Sequence, residues 1–470
     1  MTHSQGVLIT LICYKLVLVL IGVLAQRKTR DGVDFFLGGR RLGPWVAAIS
    51  SAASSSSAWT LLGVSGAAYA WGLSAVWLFP SCVGGFSLNW FILAPALRKV
   101  SFESGALTVT EILAGPRQSR YHRAIVIVCS VIVLVSLGTY VSSQFQGAAK
   151  TFSETFGLSI VTSILLGSGI VVFYTLLGGF WAVSITDMLQ GVVMALASVL
   201  LPVAAVISVG GLTPLYEGMA GVDVPGYLSL SRNLGPVAGL GFVLGLLGIG
   251  LGYPGQPHVV NRFMALRQGD SALRRGRQVA IGWALIVFSG MLLLGWSSRI
   301  LYPGLDDPEV AFVVVANQLF HPLIAGVLVA SVLSAIMSTA DSQLLVAGSA
   351  VTHDLKLGGH SQEALLFRSR IVILLLSLGA VLGALFGSQE IFSQVLFAFS
   401  AMGSAFGPLL LVTVLRGPVP SGPSLVAILT GFSLSVVFYI IPDTRGTGLE
   451  RALPFVLALA IAWQGGKSTR

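Results

Sequence analysis

Long apolar runs, cut by short charged or Pro/Gly-rich segments, recur along the whole chain. Thirteen of them reach the roughly 20 residues that a helix needs to cross a bilayer. They lie near 6–25, 44–72, 74–97, 124–147, 158–178, 182–209, 236–256, 279–302, 322–350, 368–387, 392–415, 424–441 and 449–464. The pattern predicts an all-α membrane protein of about 13 transmembrane helices, with residues 1–470 forming a single domain.

Two of these spans carry polar or helix-breaking residues at their middle. Residues 50–59 read SSAASSSSAW. Serine is a mediocre helix former because its hydroxyl competes for backbone groups, and Ser54 to Ser57 stand in succession, so the backbone is expected to leave the helix there. In span seven, LGIGLGYPGQPH at 247–258 alternates glycines and places Pro254 and Pro257 where amide donors are lost. The string from Gly250 to Gly255 matches GxGxxG, but it has no flanking strand and helix, so dinucleotide binding is rejected. Non-helical backbone at membrane depth is tolerated where it lines a cavity or is buried in protein. Freed carbonyls and nearby hydroxyls there make an oxygen cage suited to a small hard cation such as Na+.

Span nine has a different irregularity. Ser331, Ser334, Ser338, Asp341, Ser342 and Ser349 recur at spacings of three, four and seven, and so share one face. Spans two and seven are five apart, and an odd offset reverses the direction of crossing. Residues 44–209 and 236–415 are therefore expected to form two inverted five-helix repeats, with a binding site where the interrupted helices meet.

Composition sharpens this picture. The chain is 55% hydrophobic and 10% charged, against about 25% charged in soluble domains, which excludes an ordinary water-facing surface. The net charge of +9 does not point to nucleic acid, because the bases are sorted by side. Lys and Arg crowd 26–43, 98–123 and 257–278, with Lys356, Arg368, Arg370, Arg416, Lys467 and Arg470 on the same side; the opposite side has Lys150, Arg232, Arg299, Arg445 and Arg451. The positive-inside rule then puts the N-terminus outside and the C-terminus in the cytoplasm of a plasma membrane, as in a bacterial inner membrane. Cys13, Cys82 and Cys129 are too scattered for a disulfide framework or a zinc motif. The start, MTHSQGVLIT, lacks signal-peptide features, so the first span is kept, and no soluble catalytic domain is expected after the last.

Of the 18 acids, all but Asp187 and Asp341 fall in loops or at span ends. An ionisable group at the bilayer centre costs at least about 2.5 kcal/mol on insertion scales and marks a functional candidate. Asp187 lies about six residues into span six and Asp341 about nineteen into span nine, roughly 9 Å and 28 Å along opposite directions, so both reach the cytoplasmic third. No base lies at their depth in span six or nine, which argues against a structural ion pair. Lys15, mid-way along the first span, has the same cost and no evident role.

At these residues the chain resembles the sodium/solute symporter family, and most of all its sodium/proline branch. The motifs are FFLGGRRLG at 35–43, the serine break with Trp59, FYTLLGGFWAVSITDMLQ at 173–190, GYPGQPHVVNRFMAL at 252–266 and MSTADSQLLVAGSAVTHDL at 337–355. The resemblance implies a LeuT-like fold, with one helix before the ten-helix core and two after it. It implies a main Na+ site built from the carbonyls of Ala53, Ser56 and Ala335 and the hydroxyls of Ser338 and Thr339. Some relatives have a second Na+ site matching Asp187, Ser338 and Ser342. Asp341 stands here where those relatives have a hydroxyl, so Asp187, Asp341 and Ser342 are expected to hold a second Na+ or to share a proton. Ser57, Ala58, Ile249, Gly252, Tyr253 and Tyr140 are expected to line the substrate pocket. Three positions depart from the proline symporters: Ser55 replaces an acid, Ala58 replaces a glycine, and Ile249 replaces a tryptophan, turning an aromatic wall aliphatic.

The expectation is a symporter that moves a small organic solute, an amino acid such as proline, with Na+ as its coupled ion, in a lipid bilayer. A proton-coupled transporter of the same fold, with Asp187 and Asp341 as carriers, and a solute sensor that does not transport are the alternatives. No nucleophile with a base at catalytic spacing appears within the spans, so an enzyme is not expected.

Overall fold

The computed structural model describes residues 2–26, 37–177, 180–357 and 362–466. Arg27, Lys28, Arg30, Lys467 and Arg470 of the basic side, and Phe35 and Phe36 of the first motif, lie outside the described residues. The regular structure of these segments is helical; one isolated bridge, between Leu42 and Leu266, ties the flanks of the two breaks together.

Ten helices among the described residues are long and apolar enough to cross a membrane, against thirteen stretches read from the sequence. The difference lies in three places. Stretch 44–72 is broken, so its second half runs on into the next helix as Trp59–Ser104; stretch 158–178 yields the shorter helix Ile160–Leu177; and stretch 449–464 yields only Leu453–Gly465.

Ten helices position the site: α1 (His3–Gln26), α2 (Pro44–Ser55), α3 (Val64–Trp71), α4 (His122–Phe156), α5 (Phe180–Val209), α6 (Pro236–Gly248), α7 (Pro257–Ala265), α8 (Asp270–Leu301), α9 (Pro322–Ser349) and α10 (Ile391–Arg416). Helices α2 and α3 are the two halves of span two, and α6 and α7 those of span seven. Helix α9 lies at the centre, and its residues from Leu328 to Leu344 are buried without exception. Helix α1 covers it from outside, docked where Thr10 faces Gly326 and Tyr14 Oη meets Ser334 Oγ at 2.5 Å.

Lipid gives no hydrophobic drive between helices, so close approach of backbones has to hold them. At the second break a Cβ on Gly252 would stand 2.6 Å from the Phe399 ring, and one on Gly403 would stand 2.4 Å from Gly252 Cα. At the first, a Cβ on Gly191 of α5 would stand 2.5 Å from Ile49 of α2. Glycine at these positions lets α10 and α5 press directly against the interrupted helices.

Candidate functional site: two broken helices and a polar helix between them

The first break is shorter than the four serines suggested. Ser54 and Ser55 stay in α2, and the chain leaves the helix at Ser56 (φ −112°, ψ 80°) and Ser57 before a π turn at Trp59–Gly63 leads into α3. The reason is that Ser51 and Ser55 hydroxyls bond back to Ala48 and Ala52 carbonyls, which helices tolerate. The second break is a 3-10 stretch, Ile249–Gly255, followed by one extended residue, Gln256 (φ −96°, ψ 98°), with Pro257 opening α7.

Freed backbone groups in a membrane interior need partners, and two glutamines supply them. Gln144 of α4 accepts from the Ala58 amide through Oε1 at 3.0 Å and donates through Nε2 to Ser57 Oγ at 3.2 Å. Gln256 donates to the carbonyls of Gly252 at 3.0 Å and Phe399 at 2.8 Å. Sequence reading had assigned neither. An amide side chain inside an apolar span was the available signal.

Four of the five expected main-site residues converge. Ser338 Oγ lies 3.3 Å from the Ala53 carbonyl oxygen and 3.2 Å from that of Ala335; Thr339 Oγ1 lies 3.5 Å from Ala53 O and 3.1 Å from Ser54 O. These separations exceed the 2.7–2.8 Å typical of hydroxyl hydrogen bonds, a spread that suits oxygens gathered round one hard cation. All of these residues are fully buried. Ser56 meets this group through its amide, which donates to Ala53 O at 3.2 Å, and not through the carbonyl expected as a ligand; its buried hydroxyl has no hydrogen-bond partner among the described residues.

The expected substrate residues come together around α4. Tyr140 Oη donates to Ser57 Oγ at 3.3 Å, and its ring meets that of His258 edge-on at 6.1 Å, so one side chain touches both breaks. Tyr253 packs between Phe86 and Phe399 at 5.2 and 5.0 Å. Ala58, Ile249 and Gly252 are buried against them. Above this layer Trp71, Phe392, Trp59 and Phe288 follow one another with centroids 5.1, 6.2 and 6.1 Å apart. Trp71 and Phe392 line a cavity of about 1230 Å³ that opens on the side of Arg232 and Arg445, away from the basic loops. In its wall Lys150 pairs with Asp307 at 2.7 Å and Glu309 at 2.6 Å, and Glu309 caps α10 by accepting from the amides of Ile391 and Phe392.

The two intramembrane acids have different hydrogen-bond partners. Asp187 Oδ2 accepts from Ser50 and Ser54 at 3.1 Å, from Ser342 at 3.3 Å and from Arg262 Nη2 at 2.9 Å. This corrects the expectation that no base reaches Asp187. Arg262, read as part of the cytoplasmic segment 257–278, is 1% exposed and belongs to α7, the inner half of the broken span seven. A break at mid-membrane pulls its flanking helix inward, which counting charges by loop does not register. Asp341 Oδ1 instead accepts from Thr175 Oγ1, and its buried Oδ2 has no hydrogen-bond partner.

On the loop side of the bundle, Glu111 of the short helix Val109–Ala114 meets His353 Nε2 at 3.2 Å. Burial pushes the Glu111 carboxyl up, but the His353 bond and the amides of Leu107 and Thr108 outweigh it and hold the group below its ordinary value.

A central polar helix flanked by two helices broken at membrane depth matches one known family in full. Residues 35–431 match the model of the sodium:solute symporter family. The chain belongs to it. It is 34% identical to the osmoregulated proline transporter OpuE of Bacillus subtilis over 467 residues, 97% of this chain and 93% of that one. It is 33% identical to the sodium/proline symporter of Escherichia coli over 454 residues, 93% of this chain and 88% of that one. Among solved structures, the substrate-bound outward-open state of a Na+-coupled sialic acid symporter superposes with a TM-score of 0.78 at 18% identity, covering 100% of this chain and 98% of the other. Mhp1, a nucleobase-cation-symport-1 family transporter, gives 0.57 at 12% identity over 94% and 96%. This symporter is accordingly a multi-pass membrane transporter and not an enzyme, with sodium as its coupled ion.

Proposed function

We propose that this symporter couples inward movement of Na+ to uptake of proline or a closely related small amino acid by alternating access. The observation that carries the reading is the convergence of the Ala53 and Ala335 carbonyls with the Ser338 and Thr339 hydroxyls where α2 ends against α9. An ion held there ties one broken helix to the central helix; its departure frees them to move apart. The driving force is the Na+ gradient together with the membrane potential, about 2.3 kcal/mol per charge per 100 mV. The relatives named for proline support an amino-acid substrate, and the polar cluster Ser57, Tyr140 and Gln144 beside an apolar wall of Tyr253 and Ile249 suits a small zwitterion with an aliphatic body.

On this reading 44–209 and 236–415 are the two inverted repeats, and the basic loops face the cytoplasm. The cavity above Phe392 is then an external vestibule, with the aromatic layer from Trp71 to Phe288 as its inner door. The test is uptake by the purified chain in proteoliposomes of a labelled amino-acid panel headed by L-proline, with Na+ or choline outside. Accumulation of proline that requires Na+ and fails in Ser338→Ala supports the reading; accumulation that ignores the cation overturns it.

A further inference from the structure

The cost of Lys15 is answered by its surroundings. Helix α1 lies against both acid-bearing helices, α5 and α9, as well as against Ile160–Leu177. Among the described residues the Lys15 ammonium hydrogen-bonds one atom, the Met337 thioether sulfur, and its head lies 6.0 Å from the centroid of the Tyr14 ring. A thioether is a weak acceptor and leaves an ammonium with its charge uncompensated. Met337 stands four residues before Asp341 on α9, and residues so spaced are neighbours on one helix face, with about 5–6 Å between Cβ atoms. Asp341 for its part has one carboxylate oxygen satisfied by Thr175 and one, Oδ2, buried without a partner. An acceptor lacking a donor and a cation held by a weak thioether acceptor and an aromatic ring thus face the same turn of α9. A lysine stem has four rotatable carbons, enough to swing its head from Met337 to Asp341.

The remaining charged and titratable groups around this turn leave the balance intact. Tyr14 bonds Ser334, and Asp187 is already bound by Arg262. Each intramembrane acid therefore has one base of this chain beside it: Arg262 for Asp187 and Lys15 for Asp341.

We infer that Lys15 is the resident counter-charge of Asp341, a cation built into α1 that fills the place of a second coupling ion, so that the chain binds one Na+, at the Ala53, Ala335, Ser338 and Thr339 site. This rests on the sodium reading above and deepens it. It also gives α1, which lies outside the ten-helix core, a direct part in the charge balance of the transport cycle. A carboxylate at position 341 is then tolerated where relatives have a hydroxyl, because its compensating base comes from a neighbouring helix.

Two measurements on the full chain in detergent micelles decide it. Equilibrium binding of 22Na+ to the wild type is expected to saturate at one ion per chain and to be lost in Ser338→Ala. Lys15→Met, which keeps the shape and removes the charge, is expected to bind a second ion, and Lys15→Met with Asp341→Ser to return to one. Two ions on the wild type, one of them lost in Asp341→Ser, overturns the inference, as does a single ion on Lys15→Met. Thermal melting without Na+ provides a readout independent of the ion. Lys15→Met and Asp341→Ser are each expected to lower the melting temperature, the double variant to recover most of the loss, and Lys15→Arg to melt near the wild type. Strictly additive losses overturn the pair. Absence of any bound 22Na+ on the wild type defeats the sodium reading instead, and the melting cycle then decides the Lys15 and Asp341 pair by itself.

Discussion

Arg262 and Asp187 stand 2.9 Å apart with 1% and 0% of their side chains exposed, and their contact ties the inner half of broken span seven to span six. The guanidinium also donates to Ser50 and Ser342, on α2 and α9, at 3.1 and 2.5 Å. Four helices therefore meet on one ion pair.

Breaking that pair leaves a charge buried and alone, which costs about 3–5 kcal/mol. Arg262→Gln and Asp187→Asn are each expected to melt well below the wild type in a thermal-shift assay. Combining Arg262→Met with Asp187→Leu is expected to recover stability while leaving transport impaired, because the contact that opens and recloses is gone. If the double variant transports normally, the pair is structural only.

At the proposed Na+ site each hydroxyl would act as a ligand to a charged group, worth about 1.5–3 kcal/mol. At about 1.4 kcal/mol per tenfold, Ser338→Ala and Thr339→Ala are expected to raise the Na+ concentration for half-maximal uptake roughly 10- to 100-fold. Ser331→Ala, whose hydroxyl bonds only the Leu328 carbonyl one turn back, is expected to leave it unchanged. Initial rates measured across a Na+ series read all three.

Gln144→Leu removes the acceptor of the Ala58 amide and the donor to Ser57 at once. An unsatisfied buried group costs about 1–3 kcal/mol, so the variant is expected to melt lower and to show weaker solute binding, with Na+ activation shifted less. Isothermal titration with L-proline at saturating Na+ separates the two effects.

Val237 is 87% exposed and lines the large cavity. In a chain whose Cys13 is replaced by Ser, Val237→Cys is expected to react with a membrane-impermeant maleimide added to intact cells, and Arg274→Cys only after permeabilisation. The buried native thiols Cys82 and Cys129 should stay unlabelled. The reverse result places the basic loops outside.

Much of this was legible along the chain. Apolar length set the helical membrane class, because a bilayer imposes the same thickness on every crossing. Both breaks were visible as runs whose residues compete with or lack helical hydrogen bonds. The acids Asp187 and Asp341, and the hydroxyl stripe of α9, stood out because charge and polarity are expensive at that depth. These properties belong to a residue and its near neighbours.

What only the tertiary structure decided is which residue answers which. Ser55 stayed helical with its hydroxyl bonded back to the Ala52 carbonyl, and Ser54 with its hydroxyl taken by Asp187 and Ser342, leaving the break to Ser56 and Ser57. Gln144 and Gln256 complete the broken helices from elsewhere in the chain or from beyond the next turn. Arg262 reaches Asp187, 75 positions away, and Lys15 comes within reach of Asp341 from a helix more than 300 residues earlier. Electrostatic compensation acts through space, over a few ångströms, with no trace in sequence separation. Sequence therefore determined that buried charges and open backbone groups had to be balanced, and folding alone determined by whom.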